Sequence, residues 1–253
     1  MSIKGKAYVA GIFEHPLRKA PELSTAQLHA EVAKGALDDA GLSWQDVDGY
    51  FCGGDAPGMG AMNIAEYMGL TKLRYIDSTE TGGSSYVLHL HHAAQAIAAG
   101  RCNVALVSMA DRPLQRGAGS QLAGVDYQSI PEAQFNTAVP RTPLSGYAMV
   151  ARRHMHEFGT TSEQLAWVKV AASHHAQHNP HAMLRQVVTV EDVVNSPLVS
   201  DPLHRLDCCV VSDGGGAFVL TRPEIAKRLK RPLVKLIGAG EHLKINHGGL
   251  MDL

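Results

Sequence analysis

The sequence predicts an α/β protein built on a parallel sheet, and three observations carry that reading. Short apolar runs flanked by glycine or polar residues, KAYVAGI (6–12) and NVALVSM (103–109), have the pattern of strands buried on both faces. A helical apolar period over 84–99 leads directly into the second of them, and a strand, turn, helix, strand succession of that length is a βαβ unit with parallel strands. The chain has 253 residues, 45% hydrophobic and 19% charged, which is enough for one large core or two small ones and excludes a disordered, collagen-like or coiled-coil chain.

The elements follow in order. After 6–12, Ser24 and Gln27 have capping-box spacing, Leu28, Val32, Ala36 and Leu37 share one face, and Gly41 supplies a left-handed stop, predicting a helix over 25–40. Residues 52–61, CGGDAPGMGA, read as a surface loop ahead of a short helix near 62–68. A strand near 74–77 precedes the helix 84–99, in which Val87, Leu90, Ala94 and Ile97 share a face and Gly100 ends the run. Residues 111–144 carry no sustained period and read as a long surface excursion. Helices follow at 146–158, closed by Gly159, and at 162–178, opened by the Thr161/Gln164 box and stopped by Asn179-Pro180. The end reads as a strand GAFVLT (216–221), a helix opened by Pro223, and β structure in PLVKLIGAG (232–240). The sequence shows no internal repeat.

Charge and cysteine usage narrow the function. Lys plus Arg number 23 against 24 Asp plus Glu, so nothing favours nucleic acid or an anionic membrane, and any anion site must be local. The four cysteines include the adjacent pair Cys208 and Cys209, which cannot pair without strain, and they read as reduced thiols. The apolar run before Glu14 is too short for a signal-peptide core or a membrane span, so the expectation is a soluble, cytoplasmic protein.

Three groups of residues are candidates for chemistry. The turn Thr81-Gly82-Gly83-Ser84-Ser85 lies between a strand and a helix, where glycines permit a sharp turn and the helix N-terminus offers free N–H groups to an oxyanion or a nucleophile. The structural alternative makes Ser84 only an N-cap and the glycines only a turn. In LDCCVVSDGGGAFVL (206–220), Asp213 precedes three glycines, and Cys208 or Cys209 becomes nucleophilic only where a charge lowers its pKa; otherwise both are small thiols beside a tight turn. Of 14 histidines, His89, His91 and His92 share one helix and His174, His175, His178 and His181 cluster near the end of another. His174 and His178 have ligand spacing, but no HExxH or CxxC accompanies them, so a solvated, pH-sensitive polar face is the better reading and no metal is expected. Gly53, Gly54, Gly58 and Gly60 do not space as GxGxxG, which removes a dinucleotide site.

Five blocks together resemble the thiolase superfamily, in its lipid-transfer-protein and sterol-carrier branch of acetyl-CoA acetyltransferase-like proteins: GKAYVAGIFEHP, LDDAGLSWQDVDGY (37–50), DSTETGGSSYVLHLHHAAQAIAAG (77–100), YAMVARRHMHEFGTTSEQLAWV (147–168) and SDPLHRLDCCVVSDGGGAFVLT (200–221). The resemblance covers nearly the whole chain. It implies an α/β fold with a thiolase-like layered αβα core, a mixed sheet and an inserted α-helical loop domain. Residues 1–110 then form the first part of the N-terminal core, 111–200 the insert, 201–231 the return to the core, and 232–253 the opening of a C-terminal half.

Two departures shape what the resemblance implies. Thiolases carry their nucleophilic cysteine at the N-terminus of the helix ending AQxIxxG, and counting back from Gly100 places Gly83 there, followed by Ser84 and Ser85. No acyl-cysteine can form, and a serine hydroxyl without an adjacent base is a weak nucleophile. The chain also stops at Leu253, whereas the family's second half supplies the GHP-type histidine, an Asn- or Tyr-containing motif and the second cysteine; the expectation is a fragment of a longer protein or a half that needs a partner. Members with GGSS at the cysteine position resemble thiolase-like aldolases of steroid side-chain breakdown, which cleave a β-hydroxyacyl-CoA with a small OB-fold and zinc-ribbon partner. The implied reading is an acyl-CoA enzyme that makes or breaks a carbon–carbon bond, with Gly83, Ser84 and Ser85 as a candidate oxyanion hole; the alternative is a non-catalytic acyl-CoA-binding or scaffold subunit. A coenzyme A thioester is then the substrate, with no covalent cofactor, and Arg152, Arg153 and Lys169 in the insert are candidate phosphate contacts that equally suit a solvated surface. The family implies a homodimer paired through core strands near 103–109.

Overall fold

A computed structural model of the chain describes residues 2–53, 60–116 and 143–242. Most of the Gly-rich loop, the greater part of the 111–144 excursion and the final residues from 243 lie outside them, and with them Gly54 and Gly58. The described chain forms two compact units, one from residues up to Gln115 and from Ser212 onward, the other from Arg116 through Val211.

The first unit holds a six-stranded sheet in the order β3-β2-β4-β7-β1-β8, with β1 at Tyr8–Glu14, β2 at Gly49–Cys52, β3 at Tyr75–Asp77, β4 at Val104–Asp111, β7 at Gly214–Thr221 and β8 at Val234–Lys235. The sheet is mixed, as the resemblance implied. β2 lies parallel to β3 and β4, as the βαβ spacing requires, while β4–β7, β7–β1 and β1–β8 are antiparallel. The long connection before β7 brings it back beside β4 in the opposite direction. β1 is also less enclosed than its apolar run suggests, because Ile12 and Phe13 are exposed, and β8 keeps only two residues of the expected 232–240 stretch.

Alternation along the strands builds two apolar layers. Tyr50, Cys52, Val104, Leu106, Ala217 and Val219 face helices α1 (Thr25–Ala40) and α2 (Ala61–Tyr67). Phe51, Ala105, Val107 and Leu220 face α3 (Ser85–Ala98) on the other side, which gives helix, sheet and helix layers. Each fully buried Leu or Val contributes about 1.5–3 kcal/mol. The α1 boundaries match the capping reading: the Ser24 side chain accepts from Gln27 N–H, and Gly41 turns left-handed at φ 69°. β1 and α1 approach so closely that a Cβ on Gly11 would lie 2.3 Å from the Ala36 carbonyl oxygen.

Asp213 anchors the return of the chain to this unit. Its buried carboxylate accepts from the backbone N–H of Ala20 and Leu114 at 2.9 and 3.0 Å, tying β7 to the segment after β1 and to α4 (Pro113–Arg116). The glycines after it are needed for close approach: a Cβ at Gly215 would lie 2.2 Å from the Met109 carbonyl oxygen.

The second unit contains α5 (Pro143–Phe158), α6 (Ser162–Ala176), the short α7 (Val190–Val194) and a two-stranded ladder of β5 (Leu198–Ser200) and β6 (Leu203–His204). Ala166, Val170 and Val193 form its small core. Thr161 and Gln164 make the expected capping box, but α6 ends at Ala176 rather than 178, so His178 lies beyond the helix.

Candidate active site

Strand β3 delivers the chain into the turn Glu80 to Ser84, and α3 leads it away. Gly82 turns left-handed at φ 72°, which a side chain would resist. Ser85 is buried beneath the turn, where its Oγ accepts from Thr81 N–H at 2.9 Å and its proton faces both the Gly82 carbonyl at 2.7 Å and Glu80 Oε1 at 2.9 Å. Its hydroxyl is thus committed to holding the turn. Ser84 occupies the N-cap position without a side-chain cap; its exposed hydroxyl donates to the Thr81 carbonyl and lies 3.1 Å from Thr81 Oγ1. No imidazole, thiol or lysine stands within hydrogen-bond distance of either serine among the described residues.

The amides of Gly83 and Ser84 are a different matter. Both residues are exposed, and Gly83 forms an isolated backbone bridge with Thr81 across the turn. Exposed backbone amides at the start of a 14-residue helix form a place where negative charge is stabilised.

Glu80, which the residue patterns did not single out, completes the turn. Its Oε1 accepts from Gly82 N–H at 2.6 Å as well as from Ser85. On its other side, a Cβ built on Gly53 would lie 3.0 Å from Glu80 Oε2 and 3.2 Å from Tyr86 Oη. Gly53, at the end of β2, leaves the room that this carboxylate and phenol occupy.

The α3 histidines do not form a merely solvated face, which corrects that expectation. His89 is buried, with Nε2 2.9 Å from the Thr79 carbonyl and its ring edge-on to Tyr86; burial, partly offset by that carbonyl and by Asp77, lowers its pKa. His92 reaches Asp77 at 2.8 Å and Glu241 at 3.2 Å, and Glu241 also contacts His91 at 3.3 Å. Burial pushes the Asp77 carboxyl up, but the Thr79 hydroxyl and amide and His92 outweigh it and hold it below its usual value.

The other candidates lie in the second unit. Arg152 on α5 pairs with Asp201 at 3.1 Å and Arg153 with Glu157 at 2.7 Å, whereas Lys169 on α6 makes no ion pair among the described residues. Cys208 donates to the His204 carbonyl, and burial, Asp207 and Cys209 raise its pKa, so the local charge disfavours a nucleophilic thiolate. Cys209 is exposed. No group of three metal-ligating side chains occurs among the described residues.

No family model matches the chain. It is 34% identical over 246 residues to a steroid side-chain-cleaving aldolase of Thermomonospora curvata, an alignment covering 94% of this chain and 62% of that protein. It is 33% identical over 227 residues to an acetyl-CoA acetyltransferase of Methanothermobacter thermautotrophicus, covering 87% of this chain and 57% of that one. Among solved structures, an Ltp2-ChsH2(DUF35) aldolase superposes with a TM-score of 0.83 at 34% identity, over 93% of this chain and 60% of that one. The chain therefore spans about three-fifths of the length of the relatives it matches.

Proposed function

We propose, on its similarity to steroid side-chain-cleaving aldolases and acetyl-CoA acetyltransferases of the thiolase superfamily, that this chain is part of an acyl-CoA enzyme that breaks a carbon–carbon bond by retro-aldol cleavage of a β-hydroxyacyl-CoA. The observation that carries the proposal is the exposed backbone at Gly83 and Ser84, at the start of α3, where the resemblance places the nucleophilic cysteine of thiolases. A retro-aldol needs an oxyanion hole for the thioester enolate and a base for the hydroxyl, and it needs no acyl-cysteine. Glycine at 83 rules out the acyl-cysteine route at this position and keeps the donors.

In this proposal the substrate is a coenzyme A thioester and no cofactor is covalently held. The solved Ltp2-ChsH2(DUF35) aldolase supports a partner subunit, which this proposal takes to be a small protein of the OB-fold and zinc-ribbon kind. A homodimer remains part of the proposal, but not through 103–109: β4 is enclosed by β2 and β7, so strand pairing between copies through this sheet would have to use an edge strand, β3 or β8. Arg152, Arg153 and Lys169 stay candidates for the CoA phosphates, with Lys169 the one not already holding a carboxylate. No helix among the described residues is long and apolar enough to cross a membrane, and four free cysteines support a cytoplasmic location.

The test is turnover. The protein as the cell makes it, with and without its partner, should bind a steroid CoA thioester bearing a hydroxyl on the β-carbon and release a ketone and a shortened acyl-CoA, followed by mass spectrometry. Binding without cleavage is the outcome expected of an acyl-CoA-binding or scaffold subunit. The committed Ser85 proton favours neither that alternative nor the enzyme; it excludes only a serine nucleophile there.

A further inference from the structure

His92, midway along α3, stands between two carboxylates from different parts of the first unit. Its Nδ1 lies 2.8 Å from Asp77 Oδ2 at the end of β3, and its Nε2 lies 3.2 Å from Glu241 Oε2 in the segment that leaves β8. An ionised carboxylate only accepts, so both bonds exist together only while both ring nitrogens carry a proton. We propose that doubly protonated His92 is a pH-operated latch that holds residues 237–242 against α3 and β3. The latch is independent of the aldolase reading. The segment has little else to hold it: Leu236 is tied to Gly5 and Ala7 by backbone bonds, but beyond it all of 237–242 is exposed, and its only hydrogen bonds among the described residues are those of the Glu241 side chain.

The groups around the ring decide which arm opens. Asp77 is fixed on its own strand, where Oδ1 accepts the Thr79 amide and hydroxyl at 2.8 and 2.7 Å. His91 lies 3.3 Å from the same Glu241 oxygen and accepts from Gln95 at its other nitrogen, so its bond to Glu241 needs one proton only. His89 points instead to the Thr79 carbonyl, and Arg101 lies over the Tyr75 ring. With Asp77, Gln95 and Arg101, His92 lines a cavity of about 490 Å³, which gives solvent a route to the ring. Raising the pH removes one of the two protons. The other stays with the shorter bond to the better fixed Asp77, a nitrogen lone pair then faces Glu241, and the segment keeps only its His91 contact.

Two measurements on the protein as the cell makes it test the latch. Nitrogen NMR of the histidine rings should show both His92 nitrogens protonated at about pH 6 and only one at about pH 9. A nitroxide on Ala239→Cys, with Cys208→Ser and Cys209→Ser leaving only the buried Cys52 and Cys102, should show a ratio of mobile to immobile label that grows about 10-fold or more over the same range, as the loss of a charge-assisted bond requires. His92→Gln should leave the label mobile at both ends of the range, whereas His91→Gln should raise its mobility and keep the pH response. A His92 ring with one proton at the acid end, equal mobility at both ends, or a pH response that survives in His92→Gln or vanishes in His91→Gln overturns the latch. If the labelled chain does not fold, the ring spectrum of the unaltered protein carries the test.

Discussion

The imidazole Nδ1 of His29 lies 2.9 Å from the hydroxyl of Ser108, both buried between α1 and the sheet. Ser108 in turn sits 2.8 Å from the Tyr50 hydroxyl, and Cys52 Sγ lies 3.9 Å from the same ring nitrogen. Burial lowers the His29 pKa to about 4, with the Ala110 carbonyl acting weakly in the opposite sense. Burial also pushes the Tyr50 phenol well above its ordinary value, with nearby Cys52 acting in the same sense and Ser108 against it.

A pH dependence of stability follows. The folded pKa of His29 is below the unfolded value near 6.5, so its contribution is intact above pH 6.5 and is lost as pH falls toward 4. The loss should approach about 3 kcal/mol at the acid end, of which about 2 kcal/mol has gone by pH 5. Urea melts between pH 7 and 5 should show it, and His29→Gln should flatten the trend; an equal slope in both proteins would remove His29 as its source.

Asp213→Ala should destabilise the first unit by about 2–4 kcal/mol, because it leaves the Ala20 and Leu114 amides without their acceptor. Chemical denaturation measures this directly. Asp213→Asn, which keeps one acceptor oxygen, should cost less.

Gly11→Ala should cost about 1–3 kcal/mol or more, since the new Cβ would meet the Ala36 carbonyl oxygen and the Ala40 amide nitrogen at 2.3 and 2.7 Å. Gly100→Ala probes another mechanism: nothing stands within 4 Å of its Cβ, so any loss comes from its φ of 70° alone, about 1 kcal/mol. The difference between their denaturation midpoints separates crowding from backbone strain.

Ser85→Ala removes the knot under the turn. It should lower thermal stability by about 1–3 kcal/mol and slow acyl-CoA cleavage by loosening Gly83 and Ser84. Full activity in a folded Ser85→Ala protein would show that the turn holds without it.

Much of this architecture was legible from local chemistry. Ser24, Gln27 and Gly41 delimit α1, and the apolar spacing of Leu90, Ala94 and Ile97 announces α3, although Val87 in the same period is exposed, because capping and helical period act over a few residues. Strand direction is not local: GAFVLT reads as a strand, yet only its pairing with β4 and β1 makes it antiparallel. The β5–β6 ladder is too short to display alternation. In the site, the glycines and serines of the turn were visible as types, whereas Glu80 was not, because its importance comes from a turn that folds Gly82 and Ser85 back onto it. His89 reads as polar and is buried because its imidazole reaches the Thr79 carbonyl.

The pairing of β1 with β7, which sets Tyr8 against Thr221, orders events in time. On the ribosome the first strand emerges long before its partner, so it must wait unpaired while β2, β3, β4 and α3, whose contacts are close in sequence, assemble first. A nascent chain arrested before residue 214 should therefore hold its first fourteen residues accessible to protease or chaperone, and synthesis of the Gly-rich strand should close them.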